Sequence, residues 1–368
     1  MHVYVHVPFC ARRCSYCDFA IAVRRAVPSR RFVEAVGREW EEWQGHPVWA
    51  DAGPVQTVYF GGGTPSRLEP GAIAELLRLL RTWRPLDPEA EVTLEANPDD
   101  VTAERAAAWG AAGVNRVSLG VQSFDPAVLQ WMHRTHAAEQ VAPAVLALRQ
   151  AGIDDISLDL IFGLPAALQR DWTADLARAF ELEPTHLSLY GLTLEPHTPL
   201  ARWAARGEFL PVDEVRYAEE FLAAHRALAG HGFEHYEVSN AARRGRRARH
   251  NSAYWRRAPY IGLGPSAHSG FGRTRRWNLR EWTAYERASA AGESIVAGSE
   301  ELSDEAVALE EIYLGLRTAE GLPLERLAGG VLEEWCRAGW AQCTPPGRLR
   351  LTAEGWLRLD ALARAASG

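Results

Sequence analysis

The sequence predicts an α/β protein: a partial (βα)6 barrel with an α+β extension and a small carboxyl-terminal unit resembling a winged helix. Three observations predict this. Six short β-rich runs alternate with amphipathic helical stretches up to about residue 200. Each run ends in Gly, Pro, Asn or Gln, the chemistry expected where a parallel sheet presents a site at the carboxyl ends of its strands. Beyond about residue 205 the alternation stops, and helices and a hairpin follow instead.

The strand candidates are residues 3–7, 57–60, 91–95, 116–119, 157–161 and 186–190, separated by helical patterns over 30–43, 73–83, 103–112, 137–151 and 172–180. One helix between successive strands implies βα units and a parallel sheet. A helix over 212–230, a strand over 233–238, an arginine-rich loop and the tract 250–270 then form the extension. Ser303 is placed to cap a helix running to Leu316. Helices are expected over 322–327 and 331–339, then a hairpin (340–343 and 349–351 about Pro345-Pro346-Gly347) and a last helix. The expected division is 1–205 barrel, 206–300 extension and 301–368 carboxyl-terminal unit. The last carries too little positive charge for a DNA reader.

At 368 residues, 47% hydrophobic and 24% charged, the chain has the composition of a globular protein too long for one small core. A net charge of −7 gives no overall attraction to nucleic acid or anionic lipid, and no nucleic-acid partner is expected. All 40 basic residues are arginine. Without lysine, Schiff-base and pyridoxal phosphate chemistry and a Walker-type phosphate loop are excluded, since each needs an ammonium group. The five cysteines do not form a disulfide framework for this length. There is no charged-then-apolar leader and no apolar run long enough to cross a bilayer. A cytoplasmic protein without a membrane anchor is expected.

Cys10, Cys14 and Cys17 stand on one short loop directly after the first strand candidate. Three thiols at this spacing can converge on a [4Fe–4S] cluster and leave its fourth iron to a ligand that is not cysteine. The competing reading is structural zinc with His6 or His2 as fourth ligand, but zinc usually pairs two CxxC knuckles and no second pair is present. Gly61-Gly62-Gly63-Thr64-Pro65 follows the second strand candidate. Glycines there let backbone approach a ligand and leave N–H groups exposed. Glu95, Gln122, Arg134 and Asp159 lie at or near strand ends. Singly, each is more often an ordinary surface or satisfied residue. Asp159 stands inside an apolar run and needs a partner there.

The triplet Cys10-x3-Cys14-x2-Cys17 after a first strand resembles the radical S-adenosylmethionine (SAM) superfamily. In that superfamily the amino and carboxylate groups of SAM hold the fourth iron, and an electron from the cluster splits the sulfonium. Gly61 to Pro65 resembles the family's GGGTP segment, which contacts the methionine part of SAM. The spacing of the polar residues is similar to that of oxygen-independent coproporphyrinogen III oxidases and their HemW-type relatives, from about residue 2 to residue 270. The resemblance implies that Cys10, Cys14 and Cys17 hold the cluster. It implies that Tyr4, Tyr16, Gly62, Gly63, Thr64, Glu95, Gln122, Arg134 and Asp159 bind SAM, with Glu95 suited to the ribose hydroxyls and Arg134 to a carboxylate.

Two departures separate the branches of this group. The oxidases carry a further cysteine two places after the third, where this chain has Phe19, and a long amino-terminal extension where only nine residues precede Cys10. Both features are typical of HemW-type heme chaperones. His250-Asn251-Ser252-Ala253-Tyr254-Trp255 resembles the HNxxYW signature of that branch. The chemistry of this segment alone favours a packed loop; the resemblance makes His250 a candidate heme contact. Arg243, Arg244, Arg246, Arg247 and Arg249 are ordinarily a solvated loop, and are also able to meet heme propionates. Gly262 to His268 resembles a GxGxSA turn closing over the site, with His268 a lesser heme candidate. Cys336 and Cys343 read as structural thiols. The function implied is a chaperone that binds heme and transfers it to acceptor hemoproteins, membrane-bound respiratory ones among them, with an electron donor if SAM is cleaved. The alternative is a coproporphyrinogen III oxidase using SAM radical chemistry.

Overall fold

The computed structural model describes residues 1–49, 52–82, 84–327 and 330–367. Six strands lie side by side in sequence order and run parallel: β1 (His2–Val7), β2 (Val55–Gly62), β3 (Leu86–Ala96), β4 (Arg116–Gln122), β5 (Asp155–Phe162) and β6 (His186–Gly191). Parallel neighbours cannot be joined by a hairpin, so each link carries a helix. The helices are Ser29–Glu42, Pro70–Arg81, Ala103–Ala112, Val141–Gln150 and Trp172–Glu181. The helix expected over 73–83 therefore stops at Arg81, and Trp83 lies outside the described residues. Alternation sets the two faces of β1. Val3, Val5 and Val7 are wholly buried against the helix layer, including Phe32, Val36 and Trp40 of Ser29–Glu42. Tyr4 and His6 face the other way, into the barrel interior.

The segment after residue 205 does not pack as a separate layer on this sheet. It extends both of the sheet's edges. Four strands, β7 (Glu234–Glu237), β8 (Asn240–Ala242), β9 (Tyr260–Leu263) and β10 (His268–Phe271), together with β11 (Thr274–Asn278) and β12 (Val296–Glu301), complete a twelve-stranded sheet in the order β12-β11-β10-β9-β1-β2-β3-β4-β5-β6-β8-β7. β9 is parallel to β1, whereas β10 to β12 and β7 to β8 are antiparallel. The strands form an open sheet, the partial barrel expected.

Ser303 caps helix Asp304–Arg317 through the Ala306 N–H, as its position predicts. The helix expected over 322–327 is corrected. Leu322–Pro323 pairs as a strand with Arg348–Leu351, followed by a single 3-10 turn, Leu324–Arg326. Proline lacks the N–H a helix interior needs, and Leu349 offers an extended partner instead. Ala341–Thr344 and Arg348–Leu351 form the hairpin, and helices Ala353–Trp356 and Leu359–Ala366 follow.

Candidate functional site

The cysteine loop leaves the carboxyl end of β1 and is pinned at both ends. Ala22 N–H donates to Pro8 O (2.7 Å) and Arg24 N–H to Cys10 O (2.9 Å). Midway, Ser15 N–H reaches Met132 O (3.1 Å) and Ser15 O accepts from Leu200 N–H (2.8 Å). Thr64 Oγ1 donates to Cys10 Sγ (3.3 Å), and Arg134 Nη1 donates to Cys14 Sγ (3.5 Å). Burial raises the Cys10 thiol and pushes Cys17 up to about 12. All three thiols line one cavity of about 510 Å³. Thiolate sulfur is the donor that suits an iron–sulfur cluster.

The same cavity gathers Tyr16, Gly62, Gly63, Thr64, Glu95, Gln122, Arg134 and Asp159. Strand ends bring them there. Glu95 pairs in register with Ser118, and Asp159 with Gly120 on one side and Ser188 on the other. Glu95 accepts from Tyr59 OH (2.8 Å) and from Gly62 N–H (3.0 Å), and burial raises its carboxyl to about 7. Asp159 finds the partners an apolar run demands: the hydroxyls of Ser118, Ser157 and Ser188. Burial nevertheless raises its pKa. Arg134 is held by Asn97 Oδ1 (2.6 Å) and Gly120 O (2.8 Å), while its buried Nε has no partner. Gln122 adopts φ 67°, a left-handed conformation uncommon outside glycine, where the β4–β5 register breaks. At Gly63 a Cβ would lie 2.7 Å from the Pro8 carbonyl, so only glycine fits between the GGGTP turn and the strand feeding the cysteines.

Tyr4 lies elsewhere. It lines a second cavity of about 570 Å³, its hydroxyl 3.1 Å from His6 Nδ1. The two cavities adjoin, sharing Asp18, Phe19, Gly62 and Glu95 as walls.

His250, the candidate heme contact, lines neither cavity. It is 1% exposed, and both ring nitrogens are engaged, Nδ1 with Thr57 Oγ1 (2.6 Å) and Nε2 with Tyr254 OH (2.8 Å). Burial depresses it to about 3, keeping it neutral. Its helix, Arg249–Trp255, plugs the amino-terminal end of the barrel. The Glu91 carboxylate accepts from the N–H groups of Arg249 (2.8 Å) and His250 (2.9 Å). The His250 ring stacks on Tyr59 with centroids 5.1 Å apart, beneath the cavities. The arginine loop lies at that same end. Arg247 pairs with Glu234, Arg246 with Asp155, Arg249 with Glu89 O, and Arg243 with Pro184 O. Arg244 is exposed.

Several site residues escape the motif reading. Ser118, Ser157 and Ser188 fix Asp159, Asn97 fixes Arg134, and Tyr190 to Thr193 line the cavity where β6 ends. The rule that carboxyl ends of strands carry the site would have found Tyr190 to Thr193. Cys336 and Cys343 are exposed and touch one another, so they are not core thiols.

Similarity to known proteins follows this geometry. The description "Radical SAM superfamily" matches residues 4–177. A heme chaperone HemW of Mycobacterium tuberculosis (strain H37Rv) is 38% identical over 371 residues, covering 100% of this chain and 94% of the relative. The heme chaperone HemW of Escherichia coli K12 is 37% identical, covering 73% of this chain and 69% of its own. The mouse mitochondrial radical S-adenosyl methionine domain-containing protein 1 is 39% identical, covering 73% and 60%. Among solved structures, the coproporphyrinogen III oxidase HemN of Escherichia coli matches 99% of this chain and 89% of its own with a TM-score of 0.80 at 21% identity, a likeness of fold. Among the described residues no helix is long and apolar enough to cross a membrane.

Proposed function

This chain belongs to the HemW family within the radical SAM superfamily, and on that premise we propose that it is a heme chaperone, binding heme and passing it to apo-hemoproteins. The observation that carries the reading is 38% identity to a heme chaperone along the whole chain. A second supports it: Phe19, 59% exposed, occupies the place where the oxidases resembled here carry their further cysteine.

We assign the [4Fe–4S] cluster to Cys10, Cys14 and Cys17, and SAM to Tyr16, Gly62, Gly63, Thr64, Glu95, Gln122, Arg134 and Asp159, with Tyr4 at the border. A cluster held by three cysteines supplies an open iron for the amino and carboxylate groups of SAM, and an electron when an external donor reduces it. The chain's part is positioning. Thr64 and Arg134 donate to two of the sulfurs, which stabilises thiolate character and tunes the cluster. The free Arg134 Nε is a donor for a carboxylate. Each Glu95 oxygen keeps a lone pair beyond the bond it already accepts, enough for ribose hydroxyls. In this reading residues 1–205 hold the cofactors, 206–300 closes the barrel, 301–368 is a packing module, and the protein works in the cytoplasm.

The test is anaerobic reconstitution followed by two assays. Stoichiometric heme binding and transfer to an apo-hemoprotein are expected. Catalytic conversion of coproporphyrinogen to protoporphyrinogen with SAM and dithionite would replace the chaperone with the oxidase.

A further inference from the structure

The second cavity and the Gly262 to His268 turn are left over by the cofactor assignment. Two histidines reach this cavity, and they differ. His6 is 7% exposed and spent on both sides, Nε2 with Ala20 O (2.9 Å) and Nδ1 with Tyr4 OH (3.1 Å). His268 opens β10, is exposed, and stacks on Trp277 with ring centroids 6.0 Å apart. Among the described residues its ring nitrogens have no hydrogen-bond partner. Its ring is therefore left available to a ligand of the cavity.

Aromatic and aliphatic side chains share the wall with this imidazole. Phe19, Tyr254, Trp255, Tyr260 and Leu314 line the cavity. Phe19 is exposed to a degree unusual for its type, and an exposed aromatic at a cavity rim marks a surface awaiting a partner. Charge is sparse. Arg257 and Arg275 both spend their guanidinium groups on Glu310. Arg280 is exposed and donates to Asp18 O (3.0 Å), with no carboxylate partner among the described residues. A volume of about 570 Å³ falls within the size of sites for organic cofactors.

We propose that this cavity is the heme site: His268, and not His250, would hold the iron, Phe19, Tyr260 and the Tyr254–Trp255 end of the HNxxYW helix would flank the macrocycle, and Arg280 would meet a propionate. The proposal rests on the heme-chaperone reading and adds its location. Neutral imidazole is the common proximal ligand of heme iron, and guanidinium pairs carboxylate in a fork. Phe19 then separates heme from SAM, being a wall of both cavities.

The experiment titrates hemin into the full-length, cluster-reconstituted protein and reads absorbance and electron paramagnetic resonance. His268→Ala is expected to lose the imidazole-ligated signature and to bind at least about tenfold more weakly. Iron content and SAM affinity stay at wild-type values, which establishes that the variant is folded. His268→Met is expected to shift the signature to a thioether ligand, and imidazole added to His268→Gly to restore the original spectrum. A purely structural role would produce neither change. If wild type takes up heme and these variants keep its spectrum and affinity, the site is wrong and the chaperone reading stands. If wild type takes up no heme, the chaperone reading itself falls.

Discussion

Gly63→Ala tests whether the GGGTP turn and the cysteine loop are one mechanical unit. A Cβ at residue 63 would meet Pro8 C and O at 2.7 Å and Val7 O at 2.9 Å, all backbone. Ordinary contact begins near about 3.4 Å, so one of the two chains must move by roughly 0.7 Å, and no flexible side chain can absorb the shift. Pro8 stands two residues before Cys10, and Gly63 N–H donates to Val7 O (2.8 Å), so the displacement travels directly into the thiols. Overpacking of this kind costs about 1–3 kcal/mol, survivable for a domain stable by roughly 5–15 kcal/mol. A site that must hold its geometry within about 0.5 Å does not survive it as well. The expected outcome is a folded protein with a lowered urea midpoint and reduced iron and sulfide per chain after reconstitution. Gly71→Ala is the control: it lies in the first turn of Pro70–Arg81 with nothing within 4 Å of its Cβ, and it should hold or raise stability. Wild-type iron, sulfide and stability in Gly63→Ala would refute the coupling.

Three further predictions probe the framework. His250→Phe removes a partner from Thr57 and Tyr254 and should cost about 1–3 kcal/mol in denaturation while leaving heme affinity unchanged; lost heme with intact stability would reverse the assignment. Arg170→Ala leaves the Glu220 and Asp175 carboxylates buried without their shared cation (2.8 and 3.6 Å), and should cost about 3–5 kcal/mol by urea unfolding. Glu39 ties helix Ser29–Glu42 to Gly264 N–H, Asn278 and Tyr285, and burial raises its carboxyl from 4.5 to about 7. The folded state therefore binds the extra proton, and Glu39's contribution to stability falls as pH rises through that window. The stability gap between wild type and Glu39→Gln should shift in the variant's favour by up to about 3 kcal/mol from pH 4.5 to 7, and a pH-independent gap would refute this.

What was legible in the sequence divides along physical lines. Strands β1 to β6 could be read because parallel strands flanked by helices are continuous apolar runs, and ends rich in glycine and polar residues mark where they stop. The cysteine-lined cavity could be read because its lining clusters locally, as Cys10 to Cys17 and Gly62 to Thr64 do. Tyr4 shows what spacing leaves out: β1 sends it inward, beside His6, where it lines the neighbouring cavity that shares Gly62 and Glu95 with the first. Leu322 was read as helical because periodicity cannot register a partner strand 27 residues on, at Leu349. The two-sided role of residues after 205 was invisible for the same reason. Nothing local in residues 234–242 or 260–301 states which edge of the sheet each will complete.

His250 shows what a motif residue does for the fold itself. The barrel interior is polar at its amino end: His2, Thr57, Glu91, Arg116 and His186 are all buried there. Such a floor needs donors and acceptors that water cannot supply once the barrel is covered. Helix Arg249–Trp255 supplies them, through its first N–H groups to Glu91 and through His250 and Tyr254 to Thr57 and to each other. Histidine, tyrosine and their spacing of four are then what a plug requires, since residues i and i+4 share a helix face. Among the described residues no helix performs that service at the carboxyl end. There Arg134 Nε stays unpartnered, Gln122 is held at φ 67°, and Phe19 stands 59% exposed. Unmet capacity at one end, set against the paired His250 and Glu91 at the other, supports the proposal that ligands bind at the rim.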